Sequence, residues 1–480
     1  MMRSLFSGVS GLKVHQTKMD VIGNNIANVN TIGFKSSSVN FSDILYQTTQ
    51  NATGANAATG SAGQNAKQIG LGTTVSGITT NISQAGGAQR TDIATDMMIT
   101  GSSFFIVNSG GINYFTKSGA FKIDGVGNLA TESGASVMGW QVDPADETNI
   151  ITSAVSPLKI MSAENLYANP EATTKARITG NIDQTDTDLK TAAGKVTQFD
   201  FYDNLGNKYT AKLKVTQDTS ATGASNKYNV SLTDIIDSED NSIFVTKTVT
   251  GDNVTYSATN KLSKINFGGN DYTVAVDATT GAVTLSGTAS PLVYDGATGS
   301  FKSIGADGAK AIDFTLEGSG ENPFKKISLD FSSTTMYATS GSSSLQGYRG
   351  DANGNGSGKK VGSMVGVSID TSGKIYGKYD NDTTKLLGQV AVASFANPAG
   401  LESVGNSMFA ATKNSGDFDG IGEDVSSGGG EITTGVLEMS NVDLSTEFTQ
   451  MITTQRGFQA NSRIITTSDT LLEELINIKR

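Results

Sequence analysis

Cysteine is absent from this 480-residue chain. That absence removes disulfides, thiolate metal sites, thiol nucleophiles and any cysteine-derived crosslink between subunits. Histidine occurs once, at His15, beside Gln16 and Thr17. With no thiolate and no second imidazole, most zinc sites and nucleophilic mechanisms lack their parts. His15 therefore reads as a surface or interface residue. Long apolar runs are missing as well. Nothing approaches about 20 uninterrupted apolar residues, so no transmembrane helix and no membrane insertion are expected. Near the N-terminus Lys13, His15, Gln16, Lys18 and Asp20 interrupt the apolar pattern, so no cleaved signal peptide is expected. No P-loop or dinucleotide fingerprint occurs in a strand-to-helix context, and no spacing marks a catalytic carboxylate pair. Basic residues are scattered through a chain of net charge −11, which gives nucleic-acid binding no support. The sequence assigns no catalytic residue, cofactor or metal, and it reads as a non-enzyme.

What is present is glycine, 56 residues of it, in a middle section crowded with Ser, Thr, Asn and Asp. This mixture favours turn-rich β structure. The two ends are different. Leu5, Leu12, Met19 and Ile26 recur every seven residues, with Val9 between the first two. Steps of four and three mark one face of a helix and suit a coiled-coil seam. The spacing predicts a helix over about 4–27, ended by Asn28, Asn30 and Gly33. Leu444, Met451, Phe458, Ile465 and Leu472 repeat the pattern, with Phe448 and Ile476 on companion positions. Ser440 or Asp443 supplies an N-cap. The second helix is expected to reach about residue 478, roughly 35 residues and about 50 Å long. Each stripe needs a partner, and the only comparable stripe lies at the other end of the chain. Pairing of the termini, within one subunit and across subunits, is expected.

Between the ends, 47–68 reads as a linker or extended arm. Short alternating runs follow from about residue 70. Phe104-Phe105-Ile106-Val107 and Ile112-Asn113-Tyr114-Phe115 predict a hairpin, as do Val365–Ile369 and Lys374-Ile375-Tyr376 around Asp370-Thr371-Ser372-Gly373. Chain length gives a soft expectation of three domains. We expect a multidomain α+β chain: 1–70 with 431–480 as a helical core with an extended linker, 71–144 with 343–430 as a discontinuous β-rich domain, and 145–342 as one or two outer β-rich domains. Asp351-Ala352-Asn353-Gly354-Asn355-Gly356 fits the first half of a calcium loop, but its twelfth position is Gly362. A surface turn is the better reading. Arg349-Gly350-Asp351 spells an adhesion tripeptide, for which a solvated loop is the default.

Several longer strings carry a resemblance. Asn24-Asn25-Ile26-Ala27-Asn28-Val29-Asn30-Thr31-Ile32-Gly33-Phe34-Lys35 resembles the N-terminal signature of flagellar rod and hook proteins. Tyr114-Phe115-Thr116-Lys117-Ser118-Gly119-Ala120-Phe121 is similar to that family's hairpin motif, and Met138-Gly139-Trp140 to its following L-G-W. Leu437-Glu438-Met439-Ser440-Asn441-Val442-Asp443-Leu444 and Gln455-Arg456-Gly457-Phe458-Gln459-Ala460-Asn461 resemble its C-terminal signatures. Thr179-Gly180-Asn181-Ile182-Asp183 and Ile327-Ser328-Leu329-Asp330-Phe331 look like the middle region of hook members, which short rod subunits lack.

The resemblance implies a structural subunit that polymerises with itself into a flexible curved tube, a universal joint carrying torque from rod to filament. It also implies export through the flagellar type III apparatus, an extracellular location, and contacts with a distal rod protein, a hook cap and a hook–filament junction protein. A distal rod or other axial subunit is the alternative. A secreted β-rich adhesin is the competing reading from another class.

Overall fold

The computed structural model describes residues 2–54, 60, 62–219, 226–250, 253–259, 262–318, 322–339 and 341–478. Two long helices stand at the ends, α1 (Met2–Ala27) and α2 (Leu444–Ile478), and the described residues between them are mainly strand and turn. The chain is thus α+β, with paired terminal helices and a β-rich body. Asp443 caps α2: its carboxylate accepts from the backbone N–H of Ser445 at 2.9 Å and from the Thr446 hydroxyl at 2.8 Å. Asp443→Ala is expected to fray the start of α2 and lower the thermal midpoint of the helical circular-dichroism signal.

By contacts the chain divides into two compact units. The first comprises 1–166, 365–378 and 384–480; the second comprises 167–364 and 379–383. In the first unit the predicted hairpin forms between Phe104–Ser109 and Ile112–Thr116, in the register Phe105 to Thr116. Ser136–Asp143 pairs with the outer edge of that hairpin, and Thr384–Val390 with Ser136–Asp143. The core gathers Phe104, Ile106, Phe115, Met138, Trp140 and Phe409. Phe115 meets Phe395 edge-on at 4.7 Å between ring centroids. Trp140, the only tryptophan, is buried and donates its indole N–H to the carbonyls of Ser153 and Ile421.

Within the stretch read as a linker or arm, Tyr46–Gln50 and Lys67–Gly70 pair as an antiparallel ladder. Residues 55–59 and 61 of that stretch lie outside the described residues.

The second unit holds a five-stranded and a six-stranded sheet around one core. Lys208–Gln217 shows the expected alternation, with Ala211, Leu213 and Val215 inward. Lys175–Asn181 and Ile327–Thr335 run parallel side by side, although about 150 residues separate them.

One turn device recurs at five turns among the described residues. The Oδ1 atoms of Asp124, Asp203, Asp237, Asp351 and Asp370 each accept the backbone N–H groups two and four residues onward, all within 3.0 Å. Such side-chain-to-backbone bonds satisfy groups a tight turn leaves open. The calcium-like segment is this turn. Its Asp351 is held down to about 2 by the Lys175 ammonium, 3.0 Å away, and by the turn N–H groups. Among the described residues no group of three or more His, Asp or Glu is placed to hold a metal ion. The adhesion tripeptide is folded into the same corner, with the Arg349 guanidinium 4.6 Å from the Tyr202 ring centroid.

Candidate assembly interface

The two terminal helices lie antiparallel in a constant register. Ser4 faces Ser468, Gly8 faces Ile465, Gly11 faces Asn461, His15 faces Gly457 and Asn25 faces Glu447. On this line of closest approach Ile465 is the large apolar residue, set against Gly8, and the other partners named are small or polar. A Cβ on Gly8 would stand 3.2 Å from Ile465 Cγ1, and one on Gly11 2.6 Å from Asn461 Nδ2. On α2 a Cβ at Gly457 would stand 2.8 Å from the His15 ring. These glycines let two backbones approach where side chains would hold them apart. His15 also meets the Phe41 ring edge-on, and burial pushes its pKa below the ordinary value, with Lys18 adding to the effect.

Apart from Ile465, the large apolar residues of the heptads are not among those named on this line. Leu5, Leu12, Met19, Ile26, Met451, Phe458, Ile465 and Leu472 are half-buried. Val9, Leu444, Phe448 and Ile476 are exposed, Phe448 by 50% and Ile476 by 66%. Met2, Phe6, Ile452, Ile464, Leu471, Leu475 and Ile478 are exposed too. In the observed register Met2 stands level with about residue 470, so the last two turns of α2 run past the start of α1. That overhang carries Leu475, Ile476 and Ile478, the last 81% exposed. So much exposed apolar surface on one helical pair is the kind that proteins bury in contacts with other molecules.

The signature residues have a different job. Asn25 and Gly33 are buried; Asn28, Thr31, Phe34, Gly457 and Asn461 are half-buried; Asn24, Gln455 and Arg456 are exposed. Asn25 donates to Glu447 Oε1 and to the Ser37 carbonyl, and accepts from the Ser37 N–H, so it ties both helices to the strand that follows. Thr31 donates to Asn28 Oδ1 in the turn after α1. Gly33 has φ +69°, and its N–H reaches the Glu438 carbonyl at 2.8 Å. A Cβ there would stand 2.6 Å from the Ser118 nitrogen. Gly33→Ala combines about 1–2 kcal/mol of left-handed strain with about 1–3 kcal/mol of overpacking. The expected result is an earlier urea transition in Trp140 fluorescence.

Beneath this turn lies a buried charge cluster that sequence reasoning did not find. Lys35 Nζ sits 2.7 Å from Glu438 Oε1, both side chains 1% exposed. Lys35 also donates to the Gln84 carbonyl, and Gly86 N–H donates to Glu438 Oε1. Lys117 lies buried close by, donating to the Gly101 carbonyl and resting on the Phe104 ring. Burial pushes Lys117 down to about 8; Glu438 opposes that shift and Lys35 reinforces it. All three ions stand inside the quoted signature strings, but nothing in a sequence says that positions 35, 117 and 438 meet.

The Lys117 shift has a sign that can be tested. Between about pH 8 and its ordinary 10.5, unfolded Lys117 keeps a proton that the folded residue has released. The unfolded state then binds more protons, so stability rises with pH across that window and the gain is lost as pH falls through 8. Urea midpoints read from Trp140 fluorescence should climb from pH 8 to 9.5, and Lys117→Met should flatten the climb.

Comparison with known proteins finds family matches along the chain. Residues 5–35 match the flagella basal body rod protein family and 433–478 the flagellar basal body rod FlgEFG protein C-terminal family. Residues 98–165 match the flagellar hook protein FlgE/F/G D1 domain, and 165–349 the flagellar basal body protein FlaE D2 domain. The chain is 34% identical to flagellar hook protein FlgE of Treponema pallidum over the whole of both chains. It is 31% identical to flagellar hook protein FlgE of Escherichia coli over 98% of each. Flagellar basal-body rod protein FlgG of Bacillus subtilis is 26% identical over the full length of both. With the terminal helical pair, the β-rich body and full-length identity above 30% to hook proteins, this chain belongs to the flagellar hook protein family.

Proposed function

We infer that this chain is a structural subunit of the flagellar hook and polymerises with itself into the curved tube that carries torque from rod to filament. The observation that carries this reading is the apolar surface left on the terminal helical pair, from Phe6 and Val9 to Phe448 and the α2 overhang. Neighbouring copies cover it in the polymer. The helical pair, 1–70 with 431–480, forms the axial core; 71–144 with 343–430 forms the layer outside it, and 145–342 the outer domains. Polar, glycine-rich outer surfaces slide past one another, and the tube bends without losing its axial contacts. No described helix is long and apolar enough to cross a membrane. The subunit leaves the cell unfolded through the flagellar type III apparatus and works outside the cell. At its ends the tube meets a distal rod protein, a hook cap and a hook–filament junction protein. The hook family is structural, and no catalytic step is assigned here.

Electron microscopy of a strain lacking the chain tests the reading. The null strain should lack hooks and filaments, and the wild-type chain should restore both. Hooks that persist in the null strain would move the chain to a rod or accessory axial role.

A further inference from the structure

The second unit contains a polar cleft of about 910 Å³, lined by residues 196–200, residues 345–349 and the turn after Arg349. Two of its lining residues are arginines, Arg177 and Arg349. Each guanidinium is stacked on a tyrosine: Arg177 lies 5.3 Å from the Tyr348 centroid and Arg349 4.6 Å from that of Tyr202. Stacking fixes the planar forks without using their donors. Arg177 Nε is buried and has no hydrogen-bond partner among the described residues. The cleft's two carboxylates are already engaged, Asp351 by Lys175 at 3.0 Å and Asp200 by Lys208 at 2.9 Å. Arg349 also helps hold the Asp200 carboxyl below its usual range, so the two arginines, counted with Lys175 and Lys208, outnumber these two carboxylates by two, on a chain whose net charge is −11.

We propose that this cleft is a carboxylate-binding site, and that in the polymer its occupant is an acidic side chain of a neighbouring copy of this chain. Planar guanidinium forks match a carboxylate through paired N–H···O bonds. A strongly acidic chain packed among copies of itself supplies carboxylates at high local concentration, and a locally cationic cleft selects them. This occupant rests on the polymerisation inferred above.

Two measurements on the full-length chain test it. The first titrates glutarate into unpolymerised protein by calorimetry. Saturable binding is expected, weakening with salt and lost in Arg177→Gln/Arg349→Gln. No binding to the wild type overturns the carboxylate site. The second measures critical concentration on sheared hook seeds by sedimentation. The double variant should need about tenfold more protein, and Arg349→Lys should fall between it and the wild type. Glutarate should raise the wild-type value and leave the double variant unchanged. Arg349 is exposed, so Arg349→Gln alone keeps the test valid if Arg177→Gln unfolds the unit. Glutarate binding with unchanged critical concentrations overturns the neighbouring copy as occupant and leaves polymerisation standing. A wild type that fails to polymerise on hook seeds sinks the functional reading and, with it, that occupant.

Discussion

Phe448→Asp should leave the subunit folded and abolish the hook. Phe448 is 50% exposed within the chain, with Leu444 and Ile452 one turn away on either side and also exposed. None of the three lies on the glycine-lined contact between α1 and α2. An exposed substitution of this kind changes subunit stability by only about 0.5 kcal/mol. In the polymer proposed above, the same position faces a neighbour. Replacing the ring there forfeits about 1.5–3 kcal/mol of apolar burial. The new carboxylate, buried without a partner, adds about 3–5 kcal/mol more. Every subunit in the tube repeats that loss, so the critical concentration rises by several orders of magnitude. Circular dichroism of the purified variant should match wild type, while microscopy of the complemented null strain should show no hooks. Hooks of normal length in that strain would remove the helical flank from the assembly surface.

The helices were legible because their large apolar residues repeat every seven positions, and Asp443 marks where the second begins. The hairpins at Phe104–Ser109 and Lys374–Tyr379 were legible because Gly, Asn and Asp punctuate alternating runs. The intrachain contact was harder to read. Periodicity of bulky residues draws the eye to Leu5, Leu12 and Met19, whereas the closest approach runs one residue aside, along Ser4, Gly8, Gly11 and His15. Small residues carry no hydrophobic signal, although two glycines three apart in a helix are themselves a sign of close packing. The parallel pairing of Lys175–Asn181 with Ile327–Thr335 had no local signal at all, since its partners are set by the core between the sheets. The Arg177–Arg349 cleft is hidden for the same reason: its two cations come from opposite ends of that unit.

Glu438→Ala should be the most damaging single change within the subunit. The wild-type cluster places two ammonium groups and one carboxylate out of water, and among the described residues Glu438 is the anion that offsets both Lys35 and Lys117. Its removal leaves Lys35 buried with the Gln84 carbonyl alone, and strips the Gly86 N–H of its acceptor. Breaking one partner of a buried pair costs about 3–5 kcal/mol. That is a large share of the ordinary 5–15 kcal/mol stability of a folded domain. The loss should appear as an earlier Trp140 transition in urea, because Trp140 and the cluster lie in the same unit. Charge and packing can be separated. Lys35→Met, Lys117→Met and Glu438→Leu together remove every ion, and well-packed apolar replacements of buried ion pairs are often neutral or stabilising. The triple variant should therefore recover most of the stability that Glu438→Ala loses, a non-additivity expected only of residues in contact. If the triple variant is as unstable as Glu438→Ala, the loss belongs to packing at the strand before α2 and not to unpaired charge. The same pair of variants bears on torque. The ions sit where the turn after α1 and the strand before α2 join the β-rich body of the first unit, so an axial core can drive that body only while this joint holds. Hooks built from the triple variant should transmit rotation, whereas Glu438→Ala hooks, where they form, should fail under load in a tethered-cell assay.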